Sequence, residues 1–575
     1  MKLLVRYLKP FRVRMAIGFC IKAGGTMVEL MLPYILSYIL KNVVGSRSVP
    51  QILAWGGLMI LCAATACICN IVANRMAARS SADFSEQLRK DLFAKTLRLS
   101  AAQTDRFTIP SLESRITTDT YHVHSFVSMM QRMGVRAPIL LLGGIVITLV
   151  MDAYLALVML AALPLICVTV FLISNRGVPL YARVQQSVDN MVRVVREDFQ
   201  GIRVIKALSK NDYENRRYDA VNRRLSRDET FAGTIMGIAN PAMTLLMNCG
   251  ITAVVAWSAY RVAGHQSDPE TVIAFMQYFT LISMAMMSIS RIFVMYTKCA
   301  ASSRRIGEVL EQPEEIFTPE KQTVCEPRRE DAHIVFENVG FSYTGKHRHL
   351  KNINVSVPRG GSLGIIGATG SGKSTLVKLL MRFYDVTEGE IRINGLPLSS
   401  YGHQTLSGMF GVALQNDFLY ADTVEENIRF GRELSHDAIV NAARIAQADD
   451  FITAFADGYG HLVSSKGTNL SGGQRQRLLI ARAIAGMPEI LVLDDSSSAL
   501  DYKTDANLRR ALAEELTNTT VVTVAQRVSS IKDCSVILVL EHGRVIGQGT
   551  HDELMRDCPA YREISDSQMG GAFVE

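Results

Sequence analysis

Two folds are predicted in this one chain of 575 residues: an α-helical membrane domain over residues 1–310 and an α/β domain over 333–575. Three observations predict them. Long apolar runs are confined to the stretch from Met15 to about Met295. The Lys and Arg residues of that stretch gather between the runs rather than within them. Downstream, a strand-like segment enters a glycine-rich loop and leaves it as a helix-like segment, at 362–383.

A membrane span needs about 20 mostly apolar residues. Six stretches qualify: 15–40, 52–74, 134–151, 153–175, 234–262 and 271–298. The third and fourth meet at Met151-Asp152-Ala153, a tight hairpin. Arg-rich stretches starting at Arg75 and Arg176 separate the second span from the third and the fourth from the fifth, while the other connections carry few basic residues. Basic loops on one side of an even number of spans place both termini in the cytoplasm. The net charge of +7 is therefore assigned to the membrane topology, and no nucleic-acid partner is expected. A basic cluster, Lys2 to Arg14, precedes a run too long for a signal h-region, so it reads as the lead-in to a first span. An integral multi-pass protein of the plasma (inner) membrane follows, in contact with membrane lipid.

The long basic stretches keep helical periodicity, as in Val184, Val188, Met191, Val192 and Val195, so the spans are expected to continue as rods into the cytoplasm. Each rod pair contains a short break able to form a transverse helix, Thr108 to Leu112 in the first and Gly201 to Lys206 in the second. Most of the ten cysteines, including Cys62, Cys67, Cys69, Cys167 and Cys249, sit in apolar runs as small hydrophobes. Pro33, Pro138, Pro164 and Pro241 mark helix starts or kinks. Lys22 and Glu29 share one helical face inside the first span. Charges at that depth face a cavity or a partner, so substrate contact, a structural ion pair and snorkelling all remain open. Met284, Met286 and Met287 are open between core packing and an adaptable binding surface.

In the second domain, Ser362 to Ile366 leads into Gly367-Ala368-Thr369-Gly370-Ser371-Gly372-Lys373-Ser374-Thr375 and then a helical Leu376 to Phe383. This is a phosphate-binding P-loop in its required strand–loop–helix setting. The glycines let backbone N–H groups close around phosphate oxygens at a helix N-terminus. Lys373 is expected to reach the β- and γ-phosphates of ATP, and the Ser374 hydroxyl to ligate Mg²⁺. Ile490 to Leu493 reads as a buried strand ending in Asp494, the Mg²⁺-side carboxylate, and Asp495. Just before it stands Leu470-Ser471-Gly472-Gly473-Gln474, whose glycines behind a serine can cup a phosphate at a helix start.

Placed between the P-loop and that strand, this five-residue signature makes the chain resemble the ABC transporters, over almost its whole length. The resemblance implies that Ser471, Gly473 and Gln474 act on ATP held by the P-loop of another ATPase domain. It implies that Tyr343 stacks on adenine, that Gln415 is the Q-loop glutamine touching Mg²⁺, and that Ser498 to Asp501 is the D-loop. The six spans resemble the exporter type of membrane domain. In that type the breaks near 108–120 and 200–214, the latter with Glu214, are coupling helices, and 311–332 is the linker.

Two positions depart from the family's pattern. Full hydrolytic competence usually goes with Glu after the Walker B Asp, and Asp495 is one methylene shorter. Its carboxylate would stand about 1 Å from where a water-polarising base belongs, a misplacement that can cost roughly 100-fold in rate. Gln526 occupies the switch-loop histidine position, and an amide carries no titrating proton. Ser465 also stands where many exporters have Glu. The signature is intact. The combination resembles the degenerate-site subunit of a heterodimeric multidrug-type exporter, whose non-identical partner keeps Glu and His. The expected substrate is a lipophilic or drug-like small molecule. A homodimeric lipid or peptide exporter, an importer on the same fold and an ATP-gated channel or regulatory subunit are the alternatives.

Overall fold

The computed structural model describes residues 2–44, 48–263, 269–313, 332–415 and 417–569. They divide into two compact units, Met1–Leu97 with Ile109–Gln312, and Arg98–Thr108 with Pro313–Glu575. Most of the linker expected at 311–332 falls outside the described residues.

The first unit is helical. Its long elements are Arg12–Tyr38, Val49–Leu97, Thr120–Met151, Ala153–Gln200, Asn211–Gly237, Ala239–Ala263 and Pro269–Leu310. At 1.5 Å per residue, Val49–Leu97 is about 73 Å long and Ala153–Gln200 about 72 Å. Both far exceed a hydrocarbon core of about 30 Å, so the rods predicted from the valine spacing are present. Among the described residues, Leu3–Val43, Val49–Leu97, Ile109–Met151 and Glu270–Leu310 are long and apolar enough to cross a membrane. The spans expected at 153–175 and 234–262 coincide with helices Ala153–Gln200 and Ala239–Ala263, the latter offset by a break at Ile238. Pro33, Pro138 and Pro164 lie inside helices, and Pro241 is in the first turn of its own.

The first transverse helix is not where the sequence placed it. It spans Ala101–Phe107, starting on a reciprocal cap in which Ser100 Oγ accepts from Gln103 N (3.2 Å) and Gln103 Oε1 accepts from Ser100 N (3.0 Å). Thr108 ends it at a positive φ of 65°. Ile109–Ser114 instead opens the next rod, with Pro110 in a first turn that needs no donor at that position. The reading failed because Ala-Ala-Gln-Thr-Asp shows no apolar period, whereas Ile109 and Leu112 do. This helix belongs to the second unit. Ala101 packs on that unit's core, Gln103 Nε2 donates to the Pro313 carbonyl (3.1 Å) and the Tyr384 hydroxyl donates to Asp105. The second transverse helix lies where expected, at Ile202–Ala207 after Gly201, and nearby Arg217 joins Glu214 to Glu197 and Asp198.

Charges within the first unit are partnered in a way the sequence left open. Lys22 and Glu29 do not serve each other. Lys22 Nζ donates to Asn70 Oδ1 (2.6 Å) and Asn74 Oδ1 (3.1 Å), while Glu29 takes a two-pronged bond from Arg136 (2.5 and 3.2 Å). Gly25 makes the first of these possible, because a Cβ there would fall 2.7 Å from Cys69 Cβ. Only a residue without a side chain lets these two helices approach so closely. Met286 packs on the core of Leu155, Met159, Phe275, Phe279 and Ile282, whereas Met284 is exposed. Cys20, Cys62, Cys67, Cys69, Cys249, Cys299, Cys534 and Cys558 are free thiols, with Cys20, Cys67 and Cys249 exposed and Cys299 buried. The rods are tied by Asp119, fully buried in a π-turn at Arg115–Asp119, which accepts from Ser302 (2.8 Å) and pairs with Arg305.

The predicted hairpin at Asp152 is an N-cap. Its Oδ1 accepts from Tyr154 N (3.0 Å) and Leu155 N (3.3 Å) and pairs with Arg261 (2.7 Å), whose guanidinium lies 4.7 Å over the Tyr154 ring. Asp152→Ala should remove about 1 kcal/mol of capping or more and lower the thermal midpoint of the purified protein. Asp152→Asn keeps a capping oxygen without the charge and should fall between the two.

The second unit is α/β. Its strands are β1 (Ala332–Phe341), β2 (Leu350–Pro358), β3 (Ser362–Gly367), β4 (Glu388–Ile393), β5 (Leu396–Pro397), β6 (Phe410–Ala413), β7 (Ile490–Asp494), β8 (Thr520–Val524), β9 (Val536–Glu541) and β10 (Arg544–Gly549). One sheet has the order β10-β9-β3-β8-β7-β6, parallel from β9 to β6 with β10 antiparallel at its edge. The other, β2-β1-β4-β5, is antiparallel. All five residues of β7 are buried, as expected for a parallel strand covered on both faces. Helices Val424–Arg429, His436–Ile445, Asp449–Thr453 and Gly472–Ile484 share a second apolar core. The carboxyl ends of β3, β6, β7 and β8 converge, the position at which open α/β sheets place their ligands.

Candidate nucleotide site

The loop after β3 is shaped by its glycines. Gly367 has a φ of 155°, and a Cβ there would lie 2.0 Å from the Leu540 carbonyl oxygen; at Gly372, with φ 106°, it would lie 2.7 Å from a Leu350 methyl. Any side chain at either position would push the loop open. Helix Lys373–Leu380 starts immediately after, so its free N–H groups face the loop's interior. Lys373 folds over that interior and donates to the carbonyls of Gly367 (2.7 Å) and Ala368 (2.9 Å). Burial pushes the Lys373 ammonium below its usual pKa, and Asp494 and Asp495 oppose that shift. The Ser371 hydroxyl is buried and has no hydrogen-bond partner among the described residues. An unsatisfied donor, a cation and a ring of N–H groups fit a polyphosphate.

The metal side fits as well. Ser374 Oγ donates to Asp494 Oδ1 (3.4 Å) at the end of β7, so the hydroxyl and carboxylate expected to share Mg²⁺ are neighbours. Burial raises the Asp494 pKa, which a nearby cation would reverse. Tyr343, half-exposed, is held by Phe341, His349 and Tyr384, all edge to face with ring centroids 4.7–5.0 Å away, and its hydroxyl donates to Thr375 Oγ1 (3.3 Å). One flank of its ring is thus braced and placed beside the phosphate loop. Thr369 and Gly370 lie in the same loop, Gly370 at a φ of 81°.

Asp495 is the most constrained residue of the site. It adopts a left-handed φ of 52°, uncommon for a residue with a side chain. Its N–H donates to the Val524 carbonyl (2.9 Å), and its own carbonyl accepts from Gln476 (3.3 Å) and Ser498 (3.0 Å). Its Oδ2 accepts from both Gln415 Nε2 (3.2 Å) and Gln526 Nε2 (2.9 Å). Burial raises the carboxyl pKa, and the two amide donors pull it down. The structure therefore gathers Gln415 and Gln526 at one oxygen of Asp495.

The signature residues are not gathered there. Ser471 caps helix Gly472–Ile484, its Oγ accepting from Gln474 N (3.2 Å) while Gln474 Oε1 accepts from Ser471 N (2.9 Å). Ser471 and Gly472 are exposed, and no hydrogen bond among the described residues joins Ser471, Gly473 or Gln474 to the phosphate loop. Ser465 is exposed in a short turn before them. Gln476, Tyr384 and His349 escaped the sequence reading, since each contributes through a partner 19, 41 or 6 residues away with no motif to flag it.

Residues 15–286 match the family described as the ABC transporter transmembrane region, and residues 350–498 match that described as ABC transporter. An uncharacterized ABC transporter ATP-binding protein of Mycobacterium tuberculosis is 32% identical over 100% of this chain and 99% of its own. The chain is an ABC transporter. The similarly described YfiB of Bacillus subtilis is 32% identical to this transporter, covering 98% of each. A solved bacterial Atm1-family ABC exporter with ATP bound shares the fold, with a TM-score of 0.82 at 23% identity over 98% of this chain and 99% of that one. The transporter is thus an integral membrane protein with an ATP-binding domain, built on the exporter-type fold.

Proposed function

We propose that this transporter chain is one half of a heterodimeric exporter, with an ATP site of its own that binds nucleotide and turns it over slowly. The observation that carries the reading is the Asp495 carboxylate, short by one methylene and engaged at one oxygen by the amides of Gln415 and Gln526. A carboxylate that already accepts two N–H bonds is a weak proton acceptor for water. Gln526 can hydrogen-bond a phosphate but offers no proton. The well-formed phosphate loop supports binding, and the exposed, capped start of the signature helix supports service to a partner's ATP.

Ser374, Asp494 and the Q-loop Gln415 would hold Mg²⁺, which would supply charge neutralisation for the phosphates. Lys373 holds the phosphates, Ser371 donates into the loop and Tyr343 offers its ring to adenine. Ser471, Gly473 and Gln474 would complete the active site of a non-identical partner that retains Glu and His. The basic loops put the ATPase domain and the N-terminus in the cytoplasm, most naturally at the plasma (inner) membrane. The domains run 1–310, 311–332 and 333–575, with the ATP-driven closure passed through Ala101–Phe107 and Ile202–Ala207. The substrate is a lipophilic small molecule, and the cationic preference that a lone Glu29 would give is offset by Arg136.

In the assembled transporter, Asp495→Ala should change ATP turnover by less than about threefold, whereas replacing the partner's Glu should remove it. Phosphate release from the purified complex reads both. Turnover abolished by Asp495→Ala alone would overturn the degenerate-site reading.

A further inference from the structure

Near the end of the spans from which the rods continue, two helices, Arg12–Tyr38 and Thr120–Met151, bring together more positive charge than negative. The charged groups acting on the buried Lys22 are Arg136, Glu29 and Arg132, so three cations stand against one carboxylate. Glu29 is already taken by Arg136. Lys22 is met only by the neutral amides of Asn70 and Asn74. Arg132 is exposed and spends Nε and Nη2 on Ser128 of its own helix, at 3.3 and 2.9 Å, leaving Nη1 uncommitted among the described residues. Uncompensated charge at membrane depth is costly and marks a place for an opposite charge.

A second feature adjoins this one. Helices Arg12–Tyr38 and Thr120–Met151 form an apolar groove of about 630 Å³, lined by Met27, Met31, Pro138, Leu142 and Val146 among others. Met27, Leu142 and Val146 are each more than half exposed, at 58%, 64% and 58%. The groove begins beside the Glu29–Arg136 pair and runs away from Arg132. From Arg136 to Val146 the helix rises about 15 Å, the thickness of one leaflet of a hydrocarbon core of about 30 Å. A cationic end and an apolar length on the same two helices have the shape and charge of an anionic amphiphile.

We propose that this face binds an anionic amphiphile as the transported substrate, with its tail in the Met27–Val146 groove and its head group on Arg132 within the field of Lys22 and Arg136. The proposal rests on the exporter reading and narrows its substrate class. Arg132 makes the contact; Lys22 and Arg136, committed to Asn and Glu partners, supply the potential.

The test uses the transporter isolated through this chain in phosphatidylcholine nanodiscs, with radiolabelled oleate, oleyl alcohol and oleylamine as probes. Oleate should bind saturably and at least about tenfold more tightly than either analogue, the scale of one charge-assisted hydrogen bond. Arg132→Gln should weaken oleate by about tenfold and leave oleyl alcohol unchanged, and Arg132→Lys should restore much of the loss. Equal binding of the three probes, or oleate binding indifferent to Arg132→Gln, would overturn the proposal. So would equimolar phosphatidylglycerol in the nanodisc displacing all oleate together with no ATP-driven oleate uptake into sealed inside-out proteoliposomes, because the occupant would then be bilayer lipid. Basal ATP turnover in the same nanodiscs reports on the motor separately, so its absence counts against the exporter reading and not against the site.

Discussion

Gly473→Asp should lower ATP turnover of the assembled transporter by about 100-fold or more while leaving nucleotide binding to this chain intact. Gly473 sits in the first turn of a helix whose start, at Ser471 and Gly472, is exposed while its later turns are buried, and it shares no hydrogen bond with the phosphate loop of its own chain among the described residues. A carboxylate placed there opposes a phosphate brought by another subunit. A Cβ at this position would stand 3.3 Å from the Ala499 carbonyl oxygen, so Gly473→Ala, which adds the methyl without the charge, is the control for local strain and should lose less turnover than Gly473→Asp. A 100-fold loss corresponds to about 2.7 kcal/mol of transition-state stabilisation. Phosphate release measures turnover, and photolabelling of this chain with azido-ATP measures binding. Labelling that fell together with turnover would mean that the signature acts within its own chain. Ser471→Ala offers a milder comparison, because it removes a cap worth about 1 kcal/mol without adding charge.

Asp495→Glu combined with Gln526→His should raise hydrolysis at this chain's own site by about 100-fold. The added methylene carries the carboxylate toward the attacking water, and the imidazole removes one of the two amides now bonded to Asp495 Oδ2. The single Asp495→Glu change should recover less, because Gln526 would still donate to it. The switch residue also brings a pH signature. Histidine titrates near 6.5, so an inflection in that range should appear in the double variant and be absent when Gln526 is retained. Vanadate trapping on this chain, with the partner's site disabled, isolates the signal. No gain in trapping would show that the left-handed backbone at Asp495, not its length, limits the site.

Much of the ATP site was legible because its chemistry is local. The glycine spacing from Gly367 to Gly372 with Lys373 and Ser374 requires a loop between strand and helix, and the structure places it there. Asp494 follows a strand of consecutive apolar residues, which can only be an interior one. What could not be read is every relation set by packing between distant segments. Tyr384 braces Tyr343 and bonds Asp105, and Gln476 holds the Asp495 carbonyl, through contacts that leave no periodicity or motif. The short helix Ala101–Phe107 is hard to read for a related reason: its Ala, Gln, Thr and Asp carry no apolar stripe, and its one local mark is the Ser100–Gln103 capping box.

The sequence by itself determined the two fold classes, the rods, the phosphate loop and the residue types, Asp and Gln, that stand at positions 495 and 526. All of these follow from residue type and spacing along one segment. Only the tertiary structure decided that Gln415 and Gln526 converge on one Asp495 oxygen, that Glu29 answers Arg136 rather than Lys22, and that residues 98–108 fold with the ATPase unit. The physical reason is common to all three. Hydrogen-bond partners and charge balance depend on which segments close packing brings within about 3 Å of each other, and neighbours in space are not neighbours in the chain.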